Sequence, residues 1–131
     1  MTTLGLIGAG VMGRALAQNL ADRNVTVVVF DRDAAARSRA ADDARLVVVP
    51  SLGVLLGKLP KPRAVLLMVN AGRPVESAIA DLRPHLERGD IIVDGGNSEW
   101  RDTQRRTADL AKEGLDFVGL GVSGEIGRAH V

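Results

Sequence analysis

Leu4-Gly5-Leu6-Ile7-Gly8-Ala9-Gly10-Val11-Met12-Gly13 is the stretch whose reading decides the fold. A short apolar run ends in glycines spaced G-x-G-x-x-G, and Met12, Leu16 and Leu20 follow at i, i+4 and i+8, the stripe of an amphipathic helix. In a strand–turn–helix of this kind Gly8 permits the tight turn and Gly10 keeps a Cβ out of the way of an approaching pyrophosphate. Gly13 lets the helix pack closely on the strand. The helix start adds unpaired N–H groups and a partial positive charge. A second apolar run, Val25 to Phe30, ends at an acid, Asp31, at the spacing where a carboxylate meets an adenosine ribose. The pattern predicts a dinucleotide site.

Working outward, further apolar runs of strand length follow at Leu46 to Val49, Ala64 to Val69, Ile91 to Val93 and Leu115 to Val118. They are continuous rather than alternating and rich in Val and Ile, as in strands covered on both faces. Helical spacing lies between them. Ile79, Leu82 and Leu86 form a stripe that Gly89 is placed to end, and Asp33 to Arg45 reads as a solvated helix. Pro60 and Pro62 bracket a turn. The expectation is an α/β Rossmann fold: a doubly wound parallel sheet of about six strands with helices on both faces and right-handed crossovers.

Composition narrows the function. In 131 residues, 17 Lys and Arg stand against 16 Asp and Glu, and aromatics make up 2%. A basic groove with stacking rings for nucleic acid is not expected. With no cysteine there are no disulfides, thiolate metal sites or Cys nucleophiles. No metal site is expected. Neither a signal peptide nor a run of membrane-spanning length is seen, so a cytoplasmic protein with no membrane partner is expected.

The choice of dinucleotide stays open. Asp31 can accept from the ribose hydroxyls and would repel a 2′-phosphate, whereas Arg32 beside it could pair with that phosphate. Asp33 adds a second acid, so the balance leans toward NAD. Equally, Arg32 and Asp33 could be a solvated surface pair. A second constellation runs from Asp90 to Asp102. It is a buried strand, then Asp94-Gly95-Gly96-Asn97-Ser98, then a helix. Glycines at the carboxyl end of a strand let backbone approach a ligand, and the Asn97 amide can donate and accept at once. Ser98 reads as the helix N-cap and Asn97 as a ligand contact.

The run DGGNSEWRDTQRR, with VSG at Val122 to Gly124, resembles the 6-phosphogluconate dehydrogenase family, the oxidative decarboxylases of the pentose phosphate pathway. The resemblance spans the N-terminus to about Gly124. It implies that Gly8 to Gly13, Asp31, Arg32, Met68, Val69, Asn70, Ala71 and Asn97 lie along NAD(P), with NADP the family default. It also implies that Asn97, Ser123 and Gly124 help hold the substrate, 6-phosphogluconate. The family usually has Lys where Asn70 stands. NADP-using members carry Asn-Arg-Thr where this chain has Asp31-Arg32-Asp33. The resemblance further implies a large helical domain carrying a general-base Lys and a general-acid Glu, and a homodimer.

No catalytic residue is assigned within this chain. His85 reads as a surface residue, and Lys58, Lys61 and Lys112 lack a motif context. Residues 1–124 are expected to be the dinucleotide-binding domain, with the helical domain absent. Glu125 to Val131 read as a non-native tail, the translation of a sequencing adapter. The chain alone is expected to bind cofactor without turnover. The rival readings are a β-hydroxyacid dehydrogenase, which usually differs where DGGNS stands, and a dinucleotide-binding domain without catalysis.

Overall fold

The structure is a computed structural model and describes residues 2–120. The expected boundary at Gly124, the tail over 125–131 and the substrate contacts Ser123 and Gly124 lie outside the described residues. Strands β1 (Thr3–Ile7), β2 (Thr26–Phe30), β3 (Val47–Val48), β4 (Ala64–Leu67), β5 (Ile91–Asp94) and β6 (Asp116–Gly119) alternate with helices. These are α1 (Val11–Asp22), α2 (Ala34–Ala41), α3 (Leu52–Gly57), α4 (Arg73–Leu82) and α5 (Trp100–Ala111). All pairings are parallel, in the order β3-β2-β1-β4-β5-β6. The doubly wound sheet of the sequence reading is therefore what forms. No helix among the described residues is long and apolar enough to cross a membrane.

Alternation along the strands builds two core layers. Ile7, Val28, Val65, Leu67, Ile92 and Phe117 pack with Leu55 of α3, Ile79 of α4 and Leu110 of α5. Leu6, Val27, Val29 and Leu66 point the other way, onto Ala17 of α1 and Ala36 and Ala40 of α2. Both faces are buried, which is why the strands read as unbroken apolar runs.

Register then positions the site. Ile7 pairs with both Phe30 and Leu67, Leu67 with Asp94, and Asp94 with Gly119. The strands end at one level, so Gly8, Asp31, Met68 and Gly95 start their loops side by side. Strand order reverses between β1 and β4, leaving a crevice at this carboxyl edge.

Two helix readings need correction. The buried stripe of α1 is Gly13 and Ala17, with Leu16 and Leu20 at its margin, and Met12 is 58% exposed. The helix lies so close to β1 that a Cβ on Gly13 would stand 2.0 Å from the Gly8 carbonyl oxygen. Only small residues fit that face, and Met12 is turned toward the crevice. The fourth helix stops at Leu82 and continues as a 3-10 turn over Arg83–His85, because Pro84 cannot donate a helical N–H. Gly89 (φ 94°) instead turns the chain into β5, its N–H donating to the Gly114 carbonyl. His85 is exposed, as read, though in the 3-10 turn.

The close approach of α1 is expected to show directly. Gly13→Ala should lose about 1–3 kcal/mol in urea unfolding, the usual cost of overpacking. Gly10→Ala, whose Cβ meets nothing within 4 Å, should lose under about 1 kcal/mol. Equal losses would contradict the packing described.

Candidate functional site

Two compartments that share Val69 lie along the carboxyl edge. The first sits over Gly8, between Phe30, Asp31 and Arg32 on one side and Ser77 and Asp81 of α4 on the other. The second is bounded by Gly10 to Gly13, by Met68 to Asn70, and by Gly95 to Asn97. The fold thus brings together most residues singled out in the sequence. Ala9 is fully buried beneath the turn, and Ala71 lies past Asn70 in neither lining.

Each part of the glycine turn has a distinct task. Gly8 has φ 106°, and a Cβ there would stand 2.2 Å from the Met68 carbonyl oxygen, so no other residue fits. Gly10 faces open space and ends at the α1 N-terminus, where no side chain caps the helix among the described residues. Val11 and Met12 stay 76% and 58% exposed beside it. Uncapped amides beneath an unobstructed Cα fit a bridging pyrophosphate.

Asp31 does more than the sequence suggested. Its Oδ2 accepts the Ala9 N–H at 2.7 Å and its Oδ1 accepts the Asp33 N–H at 2.8 Å. The carboxylate ties the end of β2 to the glycine turn, and each oxygen keeps a lone pair for a ribose hydroxyl. Asp33 is the N-cap of α2, accepting from Ala35 N–H, rather than the partner of Arg32 in a surface pair. The exposed Arg32 guanidinium has no ion-pair partner among the described residues and borders the first compartment. Arg37, which sequence reasoning missed, donates to the Asp31 and Arg32 carbonyls at 2.7 and 3.2 Å and lies over the Phe30 ring.

On the second side, Asn97 sits at φ 63° on the compartment wall. The preceding glycines border that compartment and also serve a contact that the sequence did not suggest. A Cβ on Gly95 would meet Met68 Sδ at 2.5 Å, and one on Gly96 the Val69 carbonyl oxygen at 2.3 Å. They seat one loop on the other. Ser98 is not the helix cap: Glu99 caps α5, accepting from Arg101 N–H. The buried Ser98 hydroxyl donates instead to Asp94 Oδ2 and accepts from Arg106 Nη1 at 3.1 Å.

That bond opens into a buried network. Asp94, 1% exposed, also accepts the Gly96 N–H at 2.8 Å. Arg106 donates from Nε to Glu76 Oε1 at 2.9 Å and from Nη2 toward the Gly72 carbonyl at 3.5 Å. Glu76 also accepts from Arg105 at 2.8 Å. The Arg105 contact above all, joined by Arg106, holds the Glu76 carboxyl below its usual range against the desolvation that partial burial imposes. The one sequence signal for Arg106 was its place four residues before Leu110, a position on the buried helix face.

Residues 3–130 match the family model described as the NAD binding domain of 6-phosphogluconate dehydrogenase. A decarboxylating 6-phosphogluconate dehydrogenase of Saccharomyces cerevisiae is 46% identical, covering 92% of this chain and 25% of its own length. One from Schizosaccharomyces pombe is 48% identical with the same coverages. The solved 6-phosphogluconate dehydrogenase of Plasmodium falciparum superimposes with a TM-score of 0.86 at 33% identity, over 93% of this chain and 27% of that one. Its description includes complexes with NADP+ and with 6-phosphogluconate. The chain spans about a quarter of the length of the curated relatives it matches.

The Glu76 contacts give a pH signature. A depressed carboxyl stabilises the fold above its unfolded value, near 4.5, and that advantage is lost as pH falls through the folded value. Glu76→Gln should therefore cost about 1 kcal/mol at pH 7, discounted for a half-exposed carboxylate. Its difference from the parent should shrink below pH 4.5 in urea titrations. A difference constant from pH 7 to 3 would contradict the charged contact.

Proposed function

The chain belongs to the 6-phosphogluconate dehydrogenase family as its NAD-binding domain, and from that premise we propose that it seats NAD(P) across the two compartments for oxidative decarboxylation of 6-phosphogluconate to ribulose 5-phosphate. The carrying observation is the open Cα of Gly10 at an uncapped helix start, flanked by Asp31 on one side and Asn97 on the other. In this reading the adenosine lies over Gly8 against Asp31 and Arg32. The pyrophosphate rests on the amides of Val11 and Met12, and the nicotinamide end extends along Met68, Val69 and Asn70 toward Asn97. Bound there, the dinucleotide supplies a hydride acceptor.

The residues of this chain bind and orient. Asp31 fixes the ribose while bracing the glycine turn through Ala9. Asn97, held at the level where β5 ends, offers an amide to the sugar acid, with Ser123 and Gly124 assigned to the same task by the family resemblance. The reading extends to a cytoplasmic homodimer on the family resemblance alone.

Calorimetric titration with NAD+ and NADP+ tests the proposal. The parent chain should bind at least one of them saturably at one site. Gly10→Ala should weaken binding at least about tenfold, or about 1.4 kcal/mol, while its melting temperature falls by no more than a few degrees. No saturable binding by the parent chain would contradict the reading. Asp31→Asn removes the charge that opposes a 2′-phosphate, so the ratio of NADP+ to NAD+ affinity should rise on the order of tenfold. An unchanged ratio would remove Asp31 from cofactor selection.

A further inference from the structure

Arg106 sits behind the second compartment without lining it. Its side chain is 3% exposed and occupies a core position of α5, where an apolar residue would pack without desolvating a charge. All three guanidinium nitrogens are used, and each reaches a different place. Nη1 meets Ser98 in the loop after β5, Nη2 faces the carbonyl of Gly72 at the start of α4, and Nε meets Glu76 in the first turn of that helix. Asp94, which anchors the same β5 loop through Gly96 and Ser98, lies 3.8 Å from Nη1. The loops so joined carry Asn70 and Asn97, which border the same compartment from two strands. A planar fork with fixed donor directions can hold such a three-way geometry, and an ammonium cannot.

We infer that Arg106 is a positioning residue that fixes the loop after β4 against the loop after β5, and so sets the width of the compartment for the nicotinamide half of the dinucleotide. The inference rests on the cofactor placement proposed above and assigns Arg106 no contact with ligand. Its effect falls mainly on that half. The adenosine compartment is built from β1, β2 and α4; Arg106 touches it only through the start of α4, at Gly72 and Glu76, and makes no contact at Asp31 or Arg32.

The test compares ligands of two lengths on the whole 131-residue chain. NAD+ and NADP+ report both compartments, while 5′-AMP and 2′,5′-ADP report the adenosine one alone. Arg106→Lys keeps the charge and loses the fork, and Ser98→Ala removes one leg while leaving the Glu76 contact in place. Both should weaken the preferred dinucleotide about tenfold and leave its adenosine half within about twofold. Amide exchange should quicken at residues 95–99 while β1 and β2 stay protected. Unchanged dinucleotide affinity in both variants, or an equal fall for long and short ligands, would overturn the inference. If Arg106→Lys fails to fold, Ser98→Ala decides by the same criteria. Failure of the parent chain to bind any dinucleotide would instead overturn the functional reading on which this one rests.

Discussion

Helix α1 and strand β1 approach each other more closely than two ordinary residues would allow. A Cβ on Gly13 would meet the Gly8 carbonyl at 2.0 Å, and one on Gly8 would meet the Met68 carbonyl at 2.2 Å. Three elements, β1, α1 and the loop after β4, therefore share a space with room for backbone alone. The tight turn that results aims the first amides of α1 along the carboxyl edge of the sheet. Parallel register brings the ends of β2, β4 and β5 to the same level. The crevice at the reversal of strand order is thus a consequence of backbone contact, and the side chains around it are placed by that contact.

Loops at such an edge need bracing. Two polar devices supply it, one on each side. Asp31 and Arg37 lock the β2 end to the glycine turn and to the start of α2. Asp94, Ser98, Arg106 and Glu76 lock the β5 loop to the start of α4. In the proposed placement of the dinucleotide, the first device sits beside the ribose and the second behind the wall facing the nicotinamide. Each uses a charge to satisfy backbone or hydroxyl groups, so each is satisfied before any ligand arrives. On that placement, cofactor selection and cofactor geometry fall to separate ends of one groove.

Much of this was legible in the sequence, and the limits were physical. The strands declared themselves because burial on both faces demands continuous Val, Ile and Leu. The glycine turn declared itself because its spacing is dictated by steric contact. What stayed hidden depends on contacts between distant segments. Met12 fits an apolar stripe at i, i+4 and i+8, yet the closeness that forces small residues onto that face is set by Gly8, in another element. Ser98 has the chemistry of a cap, and only the buried Arg106 and Asp94 reveal why it serves elsewhere. Gly95 and Gly96 also seat the loop after β5 on Met68 and Val69, and that contact was hidden because it joins segments far apart in the chain. Pro84 ended the fourth helix earlier than its apolar spacing suggested, a local rule that periodicity alone overlooks.

The central claim, that a dinucleotide spans the edge from the glycine turn to the β5 loop, is tested most directly by amide chemical shifts. Titration of isotope-labelled chain with NAD+ or NADP+ should move the resonances of Gly8 to Gly13 and of Gly95 to Asn97 together, along one saturating isotherm. Shifts that never saturate, or that map away from both segments, would contradict it.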